Sequence, residues 1–236
     1  MMEFIHVAVT VLSLLPLGRS APVTSCENLI QPREIPGNQL LGKWILLAER
    51  TSIPGSKMLV QMLMENTWVN ITAASEADTF NNLQIQKKMG KCFTLKTNMT
   101  LVNNTLTILH TYRLSGVLLN TGCPDCLVIY SNNTIGRIAV KALQLLSRRV
   151  KVSAAELEEF TKQAECLNLQ PPAIMDSEKG LCPDPTLAPE TKTTDVTADS
   201  ISSDELSLLE KLLSSESGVK TLLDMIQRSM ASFKQD

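Results

Sequence analysis

Aromatic side chains are scarce in this sequence: five Phe, two Trp and two Tyr make up 4% of its 236 residues. An internal ligand site built from such material has no aromatic cage. Ten Met and many Leu point instead to an aliphatic, deformable lining. Histidine is scarcer still, with only His6 and His110, too few for a His-based metal centre or a Ser-His-Asp triad. Neither a metal nor a cofactor is expected. Basic residues do not cluster beyond Arg148-Arg149-Val150-Lys151 and the formal net charge is −2, so no phosphate-binding stripe forms and a nucleic-acid partner is excluded. No Gly-rich phosphate loop and no strand–helix–strand unit is present, which argues against a nucleotide-binding parallel sheet.

The one long apolar run lies at the start. From Ile5 to Leu17 the chain is almost wholly apolar, and Gly18-Arg19-Ser20 follows. Small residues at Gly18 and Ser20 suit a signal-peptidase site, so a leader over 1–20 and a mature start at Ala21 are expected, although Glu3 replaces the usual basic residues. As a membrane anchor the run falls short of the roughly 20 residues a span requires, and no later stretch reaches that length. A secreted, extracellular protein without a membrane span follows. Six cysteines (Cys26, Cys92, Cys123, Cys126, Cys166 and Cys182) all lie beyond residue 20, and an even count in a secreted chain implies disulfides. Asn-x-Ser/Thr sequons begin at Asn70, Asn98, Asn103 and Asn132, the mark of a glycoprotein and of water-facing surface.

Short β-favouring runs near 42–51, 57–72, 82–88, 91–101, 105–114, 116–121, 126–131 and 136–147 alternate with turn residues. Eight strands joined mainly by hairpins predict an all-β, antiparallel up-and-down barrel, which leaves no unpaired edge. The period then changes. Ser153 and Glu156 form a capping box, Leu157, Phe160, Ala164 and Leu167 give one apolar stripe, and Pro171-Pro172 ends the helix. Residues 21–182 are thus read as barrel plus packing helix. Residues 183–200, rich in Pro, Thr and acidic residues, read as a flexible linker. In 201–236, Leu206, Leu209, Leu213, Leu223, Ile226 and Met230 predict an amphipathic helix that docks on the barrel or on a protein partner, with Gly218 weakening its middle.

Gly42-Lys43-Trp44 at the head of the first strand, eight meandering strands, Arg148 at the end of the last and a single following helix together resemble the lipocalin family. The resemblance implies that Arg148 packs across Trp44 at a closed barrel end, a cation–π contact worth roughly 0.5–2 kcal/mol. The cysteine settings "CENLI", "KCF", "AECL" and "GLC" resemble the alpha-1-acid glycoprotein (orosomucoid) branch and its fish toxin-binding relatives. Carried over by position, Cys26 pairs with Cys166 and Cys92 with Cys182. The first bond closes a loop of 140 residues, worth around 4–5 kcal/mol in the chain-entropy model. Two features depart from the family pattern. Pro124-Asp125-Cys126 stands where Thr-Asp-Tyr is usual, which lets Cys123 and Cys126 form a local disulfide, or a redox Cys-x-x-Cys; and the pattern ends near residue 185.

The resemblance implies a carrier for a small hydrophobic or amphiphilic ligand such as a drug, steroid or toxin. Tyr112 and Tyr130 then offer polar tips, Arg50 and Arg113 suit an anionic head group, and Met58, Met62, Met64 and Met89 offer apolar contact. His110 reads equally as a pocket polar group or an exposed strand residue. A cationic toxin would pair with Glu49, Glu65 or Asp125. An isomerase branch of the family uses a cysteine in its second strand, which 57–72 lacks, so catalysis is not expected. The other reading is an extracellular, immunomodulatory interaction protein that acts through its glycans and its C-terminal helix. Secretion from an animal cell should give a chain beginning at Ala21 whose mass falls on enzymatic removal of N-glycans; an unprocessed, glycan-free product would overturn both expectations.

Overall fold

The computed structural model describes residues 25–88, 90–109, 113–135, 137–175, 180–185, 194–195 and 203–232. The expected leader, Met89, His110 and Tyr112 lie outside the described residues. A short helix α1 (Cys26–Leu29) and a 3-10 turn (Gly37–Leu40) precede strand β1 (Gly42–Thr51). Helix α2 (Ser56–Leu63) and then β2 (Asn66–Ala73), β3 (Thr79–Lys88), β4 (Lys91–Val102), β5 (Thr105–Leu109), β6 (Arg113–Leu119), β7 (Cys126–Ile135) and β8 (Ile138–Ser147) follow. Each strand pairs antiparallel with its sequence neighbours, and β8 returns to β1, so the eight strands close into an up-and-down barrel. Turn chemistry fixes the register locally. At the β4–β5 hairpin Asn103 and Asn104 both take left-handed conformations (φ 48° and 59°), as a tight two-residue turn demands.

Two apolar layers follow from strand alternation. Trp44, Leu46, Val69, Ile71, Met99, Leu127 and Leu146 fill the interior, while Ile45, Trp68, Ile85, Val128, Leu143 and Leu145 form an outer layer covered by helix α3 (Ala154–Cys166) through Phe160 and Ala164. Gln163 is fully buried beneath α3, and its amide donates to Leu29 O (2.9 Å) and Asn120 O (2.6 Å). Disulfide Cys26–Cys166 ties α1 to the end of the same helix, Cys92–Cys182 ties β4 to the segment after it, and Cys123–Cys126 closes the β6–β7 turn.

The floor of the barrel is built around Trp44. Its indole Nε1 donates to Leu40 O at 2.7 Å, and the Arg148 guanidinium carbon lies 3.5 Å from the ring centroid. Arg148 also donates to the carbonyls of Gln39, Leu41 and Lys43, so one side chain gathers the 3-10 turn and the start of β1. Gly42 makes this close approach possible. Its φ of +94° suits glycine, and a Cβ there would stand 3.0 Å from Arg148 Nη1.

Three segments differ from the sequence expectation. The run 57–72 is not one strand: its first half is helix α2, because Lys57, Met58, Leu59, Gln61, Met62 and Leu63 favour helix and outnumber the single β-branched Val60, whereas β-branched and aromatic residues dominate from Thr67. The break expected near Ser115 falls instead between Leu109 and Arg113. The C-terminal segment forms two helices, α4 (Ser203–Leu213) and α5 (Glu216–Ser232), because Ser215 Oγ accepts from Gly218 N at 3.1 Å and starts a new helix. Two short strands complete the described elements: β9 (Ala173–Ile174) beside β1, and β10 (Thr194–Asp195) parallel to β4.

The capping box of α3 is present on both sides, with Ser153 N donating to Glu156 Oε2 (2.6 Å) and Glu156 N to Ser153 Oγ (3.3 Å). Arg149 bridges Glu156 (2.8 Å) and Asp125 (2.7 Å), thereby joining α3 to the β6–β7 turn. Arg149 and the Ser153 bonds hold the Glu156 carboxyl at about 2, below its ordinary 4.5, and Arg149 lowers Asp125 as well. A depressed carboxyl pKa contributes stability above the unfolded value that is lost as pH falls through the folded one. Thermal melts should therefore show the wild type losing stability between pH 4.5 and about 2 more steeply than Glu156→Gln. Parallel profiles would deny Glu156 this role.

Candidate functional site

The interior encloses a cavity of about 140 Å³. Its floor and lower walls are aliphatic, from Leu40 of the 3-10 turn, Leu46, Val69, Ile71, Met99, Leu106, Leu127 and Leu146. No aromatic residue lines it. Polar groups enter from β2, β3, β4 and β8: Thr67, Asn82, Gln84, Thr97 and Gln144. Asn82 Nδ2 donates to Thr97 Oγ1 at 3.1 Å, which satisfies that pair. Thr67 Oγ1, buried to 1% exposure, has no hydrogen-bond partner among the described residues, and neither has Ser131 Oγ, which strand alternation turns inward on β7 above Ile129. Two buried hydroxyls are thus left with capacity that a ligand could meet.

An acidic group joins them. Between Leu46 and Ala48 the β1–β8 register shifts through a bulge, so that Leu46 pairs with Leu146 but Glu49 pairs with Gln144. The extra residue reverses the alternation. Glu49 and Thr51 turn inward, where simple alternation from Trp44 and Leu46 would have placed Ala48 and Arg50. The Glu49 carboxylate hydrogen-bonds the Gln144 side chain, and burial raises its pKa above the ordinary 4.5 because an apolar surrounding disfavours the charged form.

The residues expected to touch ligand are dispersed by this geometry. Arg50 pairs with Leu143 on the outer face; it is 4% exposed, its Nε and Nη1 have no partner among the described residues, and Glu165 of α3 supplies the compensating charge. Tyr130 also pairs with Leu143 and packs against the outer layer. Met58 and Met62 lie on α2, where Met58 is 39% exposed, and Met64 follows that helix and rests against the inner core. Arg113 opens β6. Of the acidic candidates only Glu49 faces inward. Glu65 accepts from Gly90 N and pairs with Lys87 at the rim, while Asp125 is engaged by Arg149 at the closed end. The alternation Leu95-Thr97-Met99-Leu101 carried a signal for Met99, whereas nothing in the sequence marks the partnership of Glu49 with Gln144.

Among the described residues the one grouping of possible metal ligands is Cys123, Asp125 and Cys126; both sulfurs are in a disulfide and the carboxylate is on Arg149. No described helix is long and apolar enough to cross a membrane. No protein-family model matches the chain. No curated protein matches it either. Solved structures do. The bovine lipocalin allergen Bos d 2 superposes with a TM-score of 0.52 at 14% identity, over 64% of this chain and 100% of that one. The siderocalin Ex-FABP, described as working through dual ligand specificities, aligns at 17% identity with a TM-score of 0.49, over 58% of this chain and 93% of its own. At such identity the likeness to Bos d 2 establishes a shared lipocalin fold.

Proposed function

We propose that this protein is a non-catalytic carrier that holds one slim amphiphile inside the barrel, its apolar tail toward Leu40 and its head group beside Glu49 and Gln144. The observation that carries the reading is the β1 bulge, which turns the Glu49 carboxylate inward beside Gln144 of the cavity wall, above an aliphatic floor. A buried charge without a counter-charge is costly, and a ligand cation or strong hydrogen-bond donor removes that cost. The cavity is smaller than the several hundred Å³ of common drug sites, which favours an extended alkyl chain over a fused-ring system.

Export and glycosylation support the same role. Asn98, Asn103 and Asn132 are exposed and Asn70 is half-buried, all on outward positions of strands or turns where a glycan would not obstruct the interior. The Cys26–Cys166 and Cys92–Cys182 bonds also favour kinship with the orosomucoid branch. The reading is therefore a secreted extracellular glycoprotein that moves an apolar ligand through water.

Native mass spectrometry of the secreted chain should reveal a small-molecule adduct that leaves on gentle activation. Titration with ω-bromodecylamine should quench Trp44, whose ring lies at the barrel floor, because bromine quenches indole at close range. Glu49→Gln should weaken the amine by about 10- to 100-fold, the worth of a charge-assisted bond, and leave the matching bromo-alcohol little changed. Equal affinity of both proteins for the amine would refute the head-group assignment. For the empty protein the sign is opposite. A raised carboxyl pKa means that stability is lost as pH rises from 4.5 through the folded value, so Glu49→Gln should melt higher than wild type at neutral pH and no higher in acid.

A further inference from the structure

The C-terminal helices rest on the open end of the barrel. Leu213, Val219 and Leu223 are buried in a small cluster of their own, against which Ile53 and Ile138 pack. Ile53 belongs to the connection between β1 and α2, and Ile138 is the first residue of β8, so both stand at the mouth. Arg137 N, in the β7–β8 turn, donates to Glu210 Oε1 of α4 at 2.9 Å. Gly55 marks the closest approach: its φ is +74°, and a Cβ there would meet Val219 Cγ1 at 3.2 Å.

The same segment is fixed on the other side of the mouth. Cys182 is bonded to Cys92, the second residue of β4, and Thr194–Asp195 lies parallel to Phe93 and Thr94 near the open end of that strand. β4 and β8 are four strands apart in an eight-stranded barrel, hence on opposite rims. The chain is therefore held covalently at one rim and packs through a few side chains at the other.

We propose that α4 and α5 form a tethered lid over the mouth that gates entry and exit of the ligand, an inference that rests on reading the barrel as a ligand cavity. Among the described residues the docking is small: three buried side chains, the approach of Val219 to Gly55 and one hydrogen bond to the β7–β8 turn, while Leu208 and Met225 remain exposed. Such a contact opens far more readily than the barrel it covers. Among the described residues none of either helix lines the cavity, so a lid closed over the mouth need not touch what lies inside. A gate of that kind scales association and dissociation together and leaves the equilibrium alone.

The test uses the full chain carrying Val219→Asp and Leu223→Asp, with stopped-flow quenching of Trp44 by ω-bromodecylamine. Hydrogen exchange on α5 reports whether the helix has left the barrel, and Glu210→Ala serves as a second variant that loosens the dock without altering its packing. Both rate constants should rise by about tenfold in the double variant and by less in Glu210→Ala, with Kd near its wild-type value. Unchanged rates with α5 released would overturn the lid and keep the cavity. Failure of the bromoalkylamine to bind wild type or variant would overturn the cavity reading, and the lid with it.

Discussion

The guanidinium of Arg148 over the indole of Trp44 is the contact on which the arrangement of this barrel depends. Arg148 directly follows β8 and Trp44 lies near the start of β1, the two strands whose pairing closes the cylinder. The same guanidinium binds the carbonyls of Gln39, Leu41 and Lys43, across the preceding turn and the start of β1, next to Leu40, which lines the cavity floor. Closure of the sheet and closure of one end thus share a single group. Planar geometry matters here. A lysine could supply the charge but could neither stack on the ring nor present a fork of donors to several carbonyls.

With that end shut, apolar side chains divide between an interior and an outer layer under α3, and the division sets what the inside can do. An interior packed like the outer layer would be solid. Here aliphatic residues leave a narrow space, and the bulge in β1 turns a carboxylate inward beside Gln144, which lines it. The bulge exchanges one inward residue for another: Arg50 goes out to the face where Glu165 supplies an opposite charge, and Glu49 comes in beside Gln144. One inserted residue therefore decides whether the inward face of β1 carries a cation or an anion above the cavity.

The other end is treated differently. Helix α2, strand β9 and the two C-terminal helices lie around the mouth, where the described residues include no pair comparable to Trp44 and Arg148. Their contacts are small, and their attachments are a disulfide and short strand pairs. A rigid floor and a loosely covered mouth assign stability to one end and access to the other.

Much of this was legible in the sequence, for physical reasons that can be named. Strand alternation, paired turn residues, the Ser153–Glu156 capping box and the Pro171-Pro172 stop act over a few residues, so the sequence by itself determined an antiparallel barrel followed by one capped helix. The Gly-Lys-Trp start and Arg148 pointed to the closed end only through their resemblance to the lipocalin pattern, because a glycine two residues before a strand tryptophan suits any buried strand. The run 57–72 misled because apolar content without period does not separate helix from strand. Which face each residue presents was decided only by tertiary structure. A bulge leaves almost no local mark, yet it inverts every residue beyond it, and Glu49 and Arg50 exchange sides on that basis alone. The docking of α4 and α5 on the mouth was likewise settled in three dimensions, because an amphipathic stripe says that something covers it but not what.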